Sequence, residues 1–296
     1  MSKHHSARPW LCRIGNQSLD LKAGGSKAAA LSVVASLPRV TVPHGFVLMT
    51  DAHQKFLELS DHRQAQAALS MIWNEVKAEL SSYPADVRWA VRSSGTLEDM
   101  HDASFAGQYK TFLGVPREGI EDAIIQCWQS RDESGVKAYA QERGIEPQVC
   151  LMGIIVQEMV PAECAGVSFS SHPLKGPSTL VINASWGLGE SVVAGLVTPD
   201  TFEMDRLAGA IQSTLGDKES LIRLDRNGQT EQIDTPEHLA RQYCLTSNQA
   251  AEVFRLTLAL EHHRGYPVDV EWAIANCQLY CLQVRPITTQ VVSPHA

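Results

Sequence analysis

Residues 268–286, VDVEWAIANCQLYCLQVRP, constrain the fold more than any other stretch of this sequence. Apolar and polar side chains alternate on both sides of Asn276–Cys277–Gln278, the pattern of two antiparallel strands joined by a short turn. A three-residue loop there predicts pairing of Ala275 with Leu279, Ile274 with Tyr280, Ala273 with Cys281 and Trp272 with Leu282. It continues with Glu271 opposite Gln283, Val270 opposite Val284 and Asp269 opposite Arg285. Because side chains change face at every residue, this register gathers Ile274, Tyr280, Trp272, Leu282, Val270 and Val284 on one side. Glu271, Gln283, Asp269 and Arg285 gather on the other.

That polar face has two readings. One is a solvated face with an Asp269–Arg285 cross-strand ion pair. In the other, Glu271 and Gln283 offer oxygens to Mg²⁺ while Arg285 meets a phosphate. Magnesium takes hard oxygen ligands, and a guanidinium fork matches phosphate oxygens.

Four further segments carry phosphate- or nucleotide-binding chemistry in outline. Gly24–Gly25–Ser26–Lys27 reads as a glycine-rich loop entering a helix, where backbone N–H groups and a lysine favour an anion. It is not a Walker A loop, since GxxxxGK[ST] is absent. Arg92-Ser93-Ser94-Gly95-Thr96 follows a predicted strand over 87–92 and opens a polar loop over 93–104. Gly187 and Gly189 flank Leu188 after a predicted strand over 179–184, with Glu190 next as a polar or metal contact. Gln157-Glu158-Met159-Val160 ends an apolar strand whose backbone suits a purine edge. Each has a plainer reading as a turn or a core strand. The eleven histidines form no ligand-spaced cluster, and the seven cysteines contain no CxxC pair, so reduced, mostly buried thiols are expected.

Along the rest of the chain, residues 51–59 and 63–80 have helical spacing, with Leu69, Ile72, Trp73, Val76 and Leu80 as the apolar stripe. Two more helices are predicted over 117–130 and 131–142, strands over 151–160 and 164–170, and a helix over 246–264 between a Thr246 or Ser247 cap and Gly265. A chain of 296 residues is long enough for two lobes, divided at 160/161. The net charge of −8 argues against a general nucleic-acid binder. No apolar run approaches the roughly 20 residues of a membrane span, and the first residues lack a secretory signal, so a cytoplasmic setting without membrane contact is expected.

The order of six segments is more specific than any one of them. GGSKAAAL (24–31), VPHGFVL (42–48), AVRSSGTLEDMHDASFAGQYKTFLGV (90–115), VQEMVPAECAGVSFSSHP (156–173), INASWGLGESVVAGLVTPD (182–200) and DVEWAIANCQLYCLQVRPITT (269–289) span almost the whole chain. In this order the chain resembles the N-terminal nucleotide-binding region of the phosphoenolpyruvate synthase and pyruvate phosphate dikinase family, to which rifampicin phosphotransferase is related. The resemblance implies an α+β, ATP-grasp fold with ATP held between two lobes, residues 1–160 and 161–296. It implies that Lys27 and Arg92 bind phosphates, that Thr111 lines the nucleotide pocket and that Gln157, Glu158, Met159 and Val160 form the adenine-binding hinge. It makes Glu163 a ribose contact, Glu271 and Gln283 the Mg²⁺ ligands, and Arg285 a cation on the transferring phosphates; Lys27, Arg92 and Arg285 then carry the catalysis.

The reaction implied splits ATP into AMP and phosphate and passes the β-phosphate to an acceptor through a histidine. The acceptor would be a small molecule or a separate protein bearing a swivelling histidine domain. His172 lies in the nucleotide-binding stretch and is not that histidine. One departure stands out: Ser26 occupies the place of the family's second glycine before the lysine. The alternatives are an ATP-grasp kinase or ligase yielding ADP, and a nucleotide-binding module without turnover.

Overall fold

The computed structural model describes residues 10–58, 64–96, 110–132 and 151–287. The chain divides after Ser36, Pro43 and Met159 into two units, the short segment Leu37–Pro43 going with the second.

The first unit is built on a five-stranded antiparallel sheet in the order β1-β2-β5-β3-β4, formed by Leu11–Arg13, Gly45–Leu48, Met152–Glu158, Trp89–Gly95 and Thr111–Val115 respectively. Directly paired residues share a face, so the register sorts the sheet into two sides. Leu11, Phe46, Leu48, Trp89, Val91, Met152, Ile154 and Val156 face a hydrophobic core. Helices α3 (Thr50–Glu58), α4 (Gln64–Leu80) and α5 (Ile120–Gln129) supply the rest of it, among them Ile72, Trp73, Val76, Leu80, Ile124 and Trp128. The predicted stripe of α4 is the buried stripe. Ala90, Arg92, Ser94, Thr111, Gly153, Ile155 and Gln157 occupy the opposite side.

Two expectations for this unit change. Gly24, read as part of a glycine-rich loop, instead ends a short helix α1 (Leu21–Gly24), capped by Asp20 Oδ1 accepting from Ala23 N–H at 2.7 Å, and broken from α2 (Ser26–Val34) at Gly25. Ser93–Gly95, expected in a loop, continue β3 because Ile154, Gly153 and Met152 pair with them. The rest of that loop, from 97, and the predicted helix over 131–142 beyond the 3₁₀ turn Ser130–Asp132 lie outside the described residues.

The second unit has a six-stranded antiparallel sheet in the order β13-β12-β6-β7-β8-β9. Its strands are β6 (Cys164–Phe169), β7 (Thr179–Trp186), β8 (Asp200–Asp205), β9 (Ile211–Thr214), β12 (Val268–Ala275) and β13 (Gln278–Pro286). A separate hairpin, β10 (Ser220–Leu224) and β11 (Thr230–Asp234), and two short helices, α6 (Glu190–Val193) and α7 (Glu237–Ala240), complete the connections. Helix α8 (Ser247–Arg264) covers one face, burying Val253 and Phe254 with Ile182, Phe202, Trp272 and Ile274. Its ends are those the sequence predicts. Thr246 and Gln249 form a capping box, and Gly265 leaves the helix at φ 74°.

The terminal hairpin departs from its expected register near the turn. Asn276 and Cys277 form a two-residue turn with φ of 50° and 60°, which pairs Ala275 with Gln278, Ile274 with Leu279, Ala273 with Tyr280 and Trp272 with Cys281. The expected pairs Ala275–Leu279, Ile274–Tyr280, Ala273–Cys281 and Trp272–Leu282 do not form. A two-residue turn with both residues at positive φ matches the strands' twist, and a bulge then absorbs Leu282 as the extra residue. Beyond the bulge Glu271 faces Gln283, Val270 faces Val284 and Asp269 faces Arg285, as predicted. The outer edge of β13 is covered by the Leu37–Pro43 segment: Cys281 N–H donates to Thr41 O at 2.8 Å, and Gln278 Nε2 to Thr41 Oγ1 at 3.1 Å.

Candidate functional site

In the first unit, backbone packing determines where Lys27 stands. Gly25, at φ 77°, separates α1 from α2, and a Cβ on it would lie 1.9 Å from the carbonyl oxygen of Ser94. Gly153 likewise faces Gly24, whose carbonyl oxygen would stand 2.3 Å from an added Cβ. These two close approaches seat the α1–α2 junction on β3 and β5, on the side of the sheet opposite the core. Lys27 is buried there and its Nζ donates to Ser93 O at 3.2 Å. Arg92 and Thr111, paired across β3 and β4, lie on this same side, as does Gln157. Four residues chosen from sequence, distant along the chain, are thus gathered on one face of one sheet.

Two N–H groups of the hinge segment are taken up by neighbouring backbone. Glu158 N–H donates to His44 O and Met159 N–H to Arg88 O, both at 2.8 Å, so these two donors are already engaged within the first unit. Gln157 is buried in β5, while Val160 O accepts from Ala162 N–H at 2.8 Å in the second unit. Glu163 is engaged at three points in that unit. Its N–H donates to Ile274 O, its carbonyl accepts from Gly187 N–H, and its Oε1 accepts from Asn276 N–H, each at 2.9 Å. The carboxylate assigned to ribose therefore clasps the hairpin turn here.

Glu271, Gln283 and Arg285 form one cluster. Glu271 Oε1 accepts from Gln283 Nε2 at 3.1 Å and from Arg285 Nη2 at 3.2 Å. The guanidinium thus reaches diagonally to Glu271, in addition to facing Asp269 across the ladder. Arg285 Nε is buried with no hydrogen-bond partner among the described residues. A buried unsatisfied donor is costly, and an added acceptor would satisfy it.

The donor set suits a magnesium ion. A carboxylate and a side-chain amide are hard oxygen ligands. Glu271 Oε1 and the Gln283 amide meet at 3.1 Å, so the two side chains reach the same place. No group of three or more His, Cys, Asp or Glu side chains poised for a metal occurs among the described residues. A cation at Glu271 and Gln283 would therefore complete its shell with phosphate and water.

Two residues on these faces have no individual role in the sequence reading. Ser94 is buried beneath α2, with its Oγ accepting from Ala28 N–H. Asn183 lies in the row Gln283–Glu271–Val167–Asn183 across β13, β12, β6 and β7, on the same face as Glu271. Strand parity within Val181-Ile182-Asn183-Ala184 was the available signal for it. Glu190 is exposed in the first turn of α6. His172 orders its own loop: Nδ1 accepts from the N–H groups of Leu174 and Lys175, and Nε2 meets Glu203 at 3.1 Å.

Of the described cysteines, five are buried and only Cys277 is exposed. Burial pushes the Cys127 and Cys164 thiols up to about 12, so neither is a nucleophile at neutral pH. No helix among the described residues is long and apolar enough to cross a membrane.

The chain is similar to several known proteins. The family described as the AMP/ATP-binding domain of pyruvate phosphate dikinase matches residues 62–295. An uncharacterized phosphotransferase of Bacillus subtilis, YvkC, is 38% identical over 84% of this chain and 31% of its own length. A probable phosphoenolpyruvate synthase of Methanothermobacter thermautotrophicus is 33% identical over 91% of this chain and 44% of its own length. The rifampicin phosphotransferase of Streptomyces sviceus is 29% identical over 92% of this chain and 35% of its own length. The chain thus spans less than half the length of these relatives.

Proposed function

Because the chain belongs to the pyruvate phosphate dikinase AMP/ATP-binding domain family, we propose that it is the nucleotide-handling part of an ATP-dependent phosphotransferase. Its fold is α+β, of the ATP-grasp class. The observation that carries the reading is the Arg285 Nε donor, buried without a partner beside Glu271 and Gln283. This is an arrangement for an anionic ligand accompanied by a cation.

In this reading Lys27, Arg92 and Arg285 bind phosphate oxygens. Thr111, Gln157, Glu158, Met159, Val160 and Glu163 contact the nucleoside, the hinge through carbonyl groups because the Glu158 and Met159 N–H groups are engaged. Glu271 and Gln283 hold Mg²⁺, which when bound neutralises phosphate charge. The work of the chain's own residues is to orient the polyphosphate and spread the charge that develops on its oxygens. A phosphate oxygen would take the place of the Ser93 carbonyl as an acceptor for Lys27 Nζ. Arg285 gains an acceptor for Nε in the same event.

The products are AMP and inorganic phosphate, and the β-phosphate leaves to a histidine on a partner protein or to a small-molecule acceptor. Calorimetric titration with ATP and Mg²⁺, followed by separation of nucleotide products in the presence of candidate acceptors, tests this. We expect binding that requires Arg285, with AMP as product. Accumulation of ADP in place of AMP would move the protein to the kinase or ligase type, and absence of ATP binding would end the proposal.

A further inference from the structure

Helix α2 starts without a side-chain cap of its own. Its N-cap is Gly25, which has no side chain to accept from the first-turn amides. An amide left unpaired in that buried position would loosen the start of the helix and the lysine it carries. Another strand supplies the missing acceptor. Ser94 Oγ, fully buried in β3, accepts from Ala28 N–H at 3.0 Å, 66 positions away in sequence. The residue before it, Ser93, accepts from Lys27 Nζ through its carbonyl, and the Ser94 carbonyl fills the space where a Gly25 Cβ would go. Two consecutive residues of β3 therefore hold the helix start, the glycine before it and the lysine within it.

We propose that Ser94 is a positioning residue for Lys27: a cap supplied in trans by a strand, which fixes the first turn of α2 so that the lysine Nζ stands over the Arg92 face of the sheet. This rests on the assignment of Lys27 to phosphate binding.

The test uses protein labelled with [ε-¹³C]lysine, with the Lys27 signal assigned by Lys27→Arg. The Lys218 signal, from a buried lysine in the other unit, serves as the folding control. In Ser94→Ala the Lys27 signal should move toward that of exposed lysines while Lys218 stays in place, and Ser94→Thr, which keeps the hydroxyl, should restore it. An unmoved Lys27 signal in Ser94→Ala, or a joint shift of Lys27 and Lys218, overturns the proposal.

A second arm reads nucleotide affinity. Ser94→Ala should weaken ATP binding about tenfold, the loss expected for one buried hydrogen bond. The Ser94→Ala/Lys27→Met double variant should bind no more weakly than Lys27→Met alone; additive losses would mean that Ser94 does not act through Lys27. If Lys27→Met binds ATP as well as the unmodified protein, the phosphate assignment fails, and the NMR result still decides whether Ser94 positions the lysine.

Discussion

The start of α2 and the β12–β13 hairpin reach a defined geometry by opposite means. At the helix start the backbone is placed by the absence of side chains. Gly25 and Gly153 leave room for carbonyl oxygens that no Cβ could share, and the single added acceptor, Ser94, comes from a neighbouring strand. In the second unit the geometry comes from side chains bonded to one another. Arg285 and Gln283 both donate to Glu271, and Lys218 is locked to Asp200 with both side chains fully buried. The first arrangement should fail when atoms are added, the second when they are taken away.

The strongest test by subtraction is Lys218→Met. Asp200 accepts from Lys218 Nζ and from the N–H groups of Gly216 and Cys244, so loss of the lysine leaves a buried carboxylate short of its countercharge. We expect a loss of about 3–5 kcal/mol in unfolding free energy, read from denaturant midpoints. Replacing Asp200 by Leu in the same chain should recover much of it. A single variant as stable as the unmodified protein would show that charge pairing does not hold this unit.

Gly25→Ala is the complementary test by addition. The new methyl group meets Ser94 O at 1.9 Å from a backbone at φ 77°, which L-residues with side chains disfavour. A destabilisation of roughly 3 kcal/mol is expected from overpacking and strain combined, visible in thermal melts. Were Gly25→Ala tolerated, the close packing of α2 on β3 would have to be looser than described.

Glu271→Ala separates function from fold within the subtractive region. Its contacts to Arg285 and Gln283 are partly exposed, so stability should change by no more than about 1 kcal/mol. ATP turnover should fall by at least about 100-fold through the lost ligand and the displaced arginine. Circular dichroism melts paired with nucleotide-product assays check both halves, and unchanged turnover would remove Glu271 from the site.

What could be read from the sequence follows the range of the forces involved. Helix α8 was legible end to end because its signals, Thr246, Gln249 and Gly265, act within a few residues of where they sit. The paired faces of Glu271 and Gln283 were legible because alternation carries parity along a strand. The turn between them was not. Asn276–Cys277 is an atypical pair for two successive positive-φ positions, where Asn-Gly is the usual choice, so neither the tight turn nor its compensating bulge left a local mark. Ser93–Gly95 become strand through partners at Met152–Ile154, a long-range pairing that no window over 93–104 contains. Strands β9 and β11 went unpredicted because Ile211–Thr214 are all exposed and Thr230–Asp234 carry little apolar content. In the site, types and spacing nominated Lys27, Arg92, Glu271 and Arg285. The engagement of the Glu158 and Met159 N–H groups, and of the Glu163 carboxylate, depends on where other segments lie.

The strap at Leu37–Pro43 bears on how the molecule assembles. Gln278 and Thr41, which meet at the outer edge of β13, stand 237 positions apart, so joining them closes one of the longest loops available to this chain. Contacts across such a separation repay their entropy late in folding. During synthesis the strap emerges well before the strand it will cover, and it must wait, solvated, until β13 has been made. Cutting the gene at codon 160 would therefore not yield two self-sufficient pieces, because the upstream fragment would carry away a part of the downstream unit.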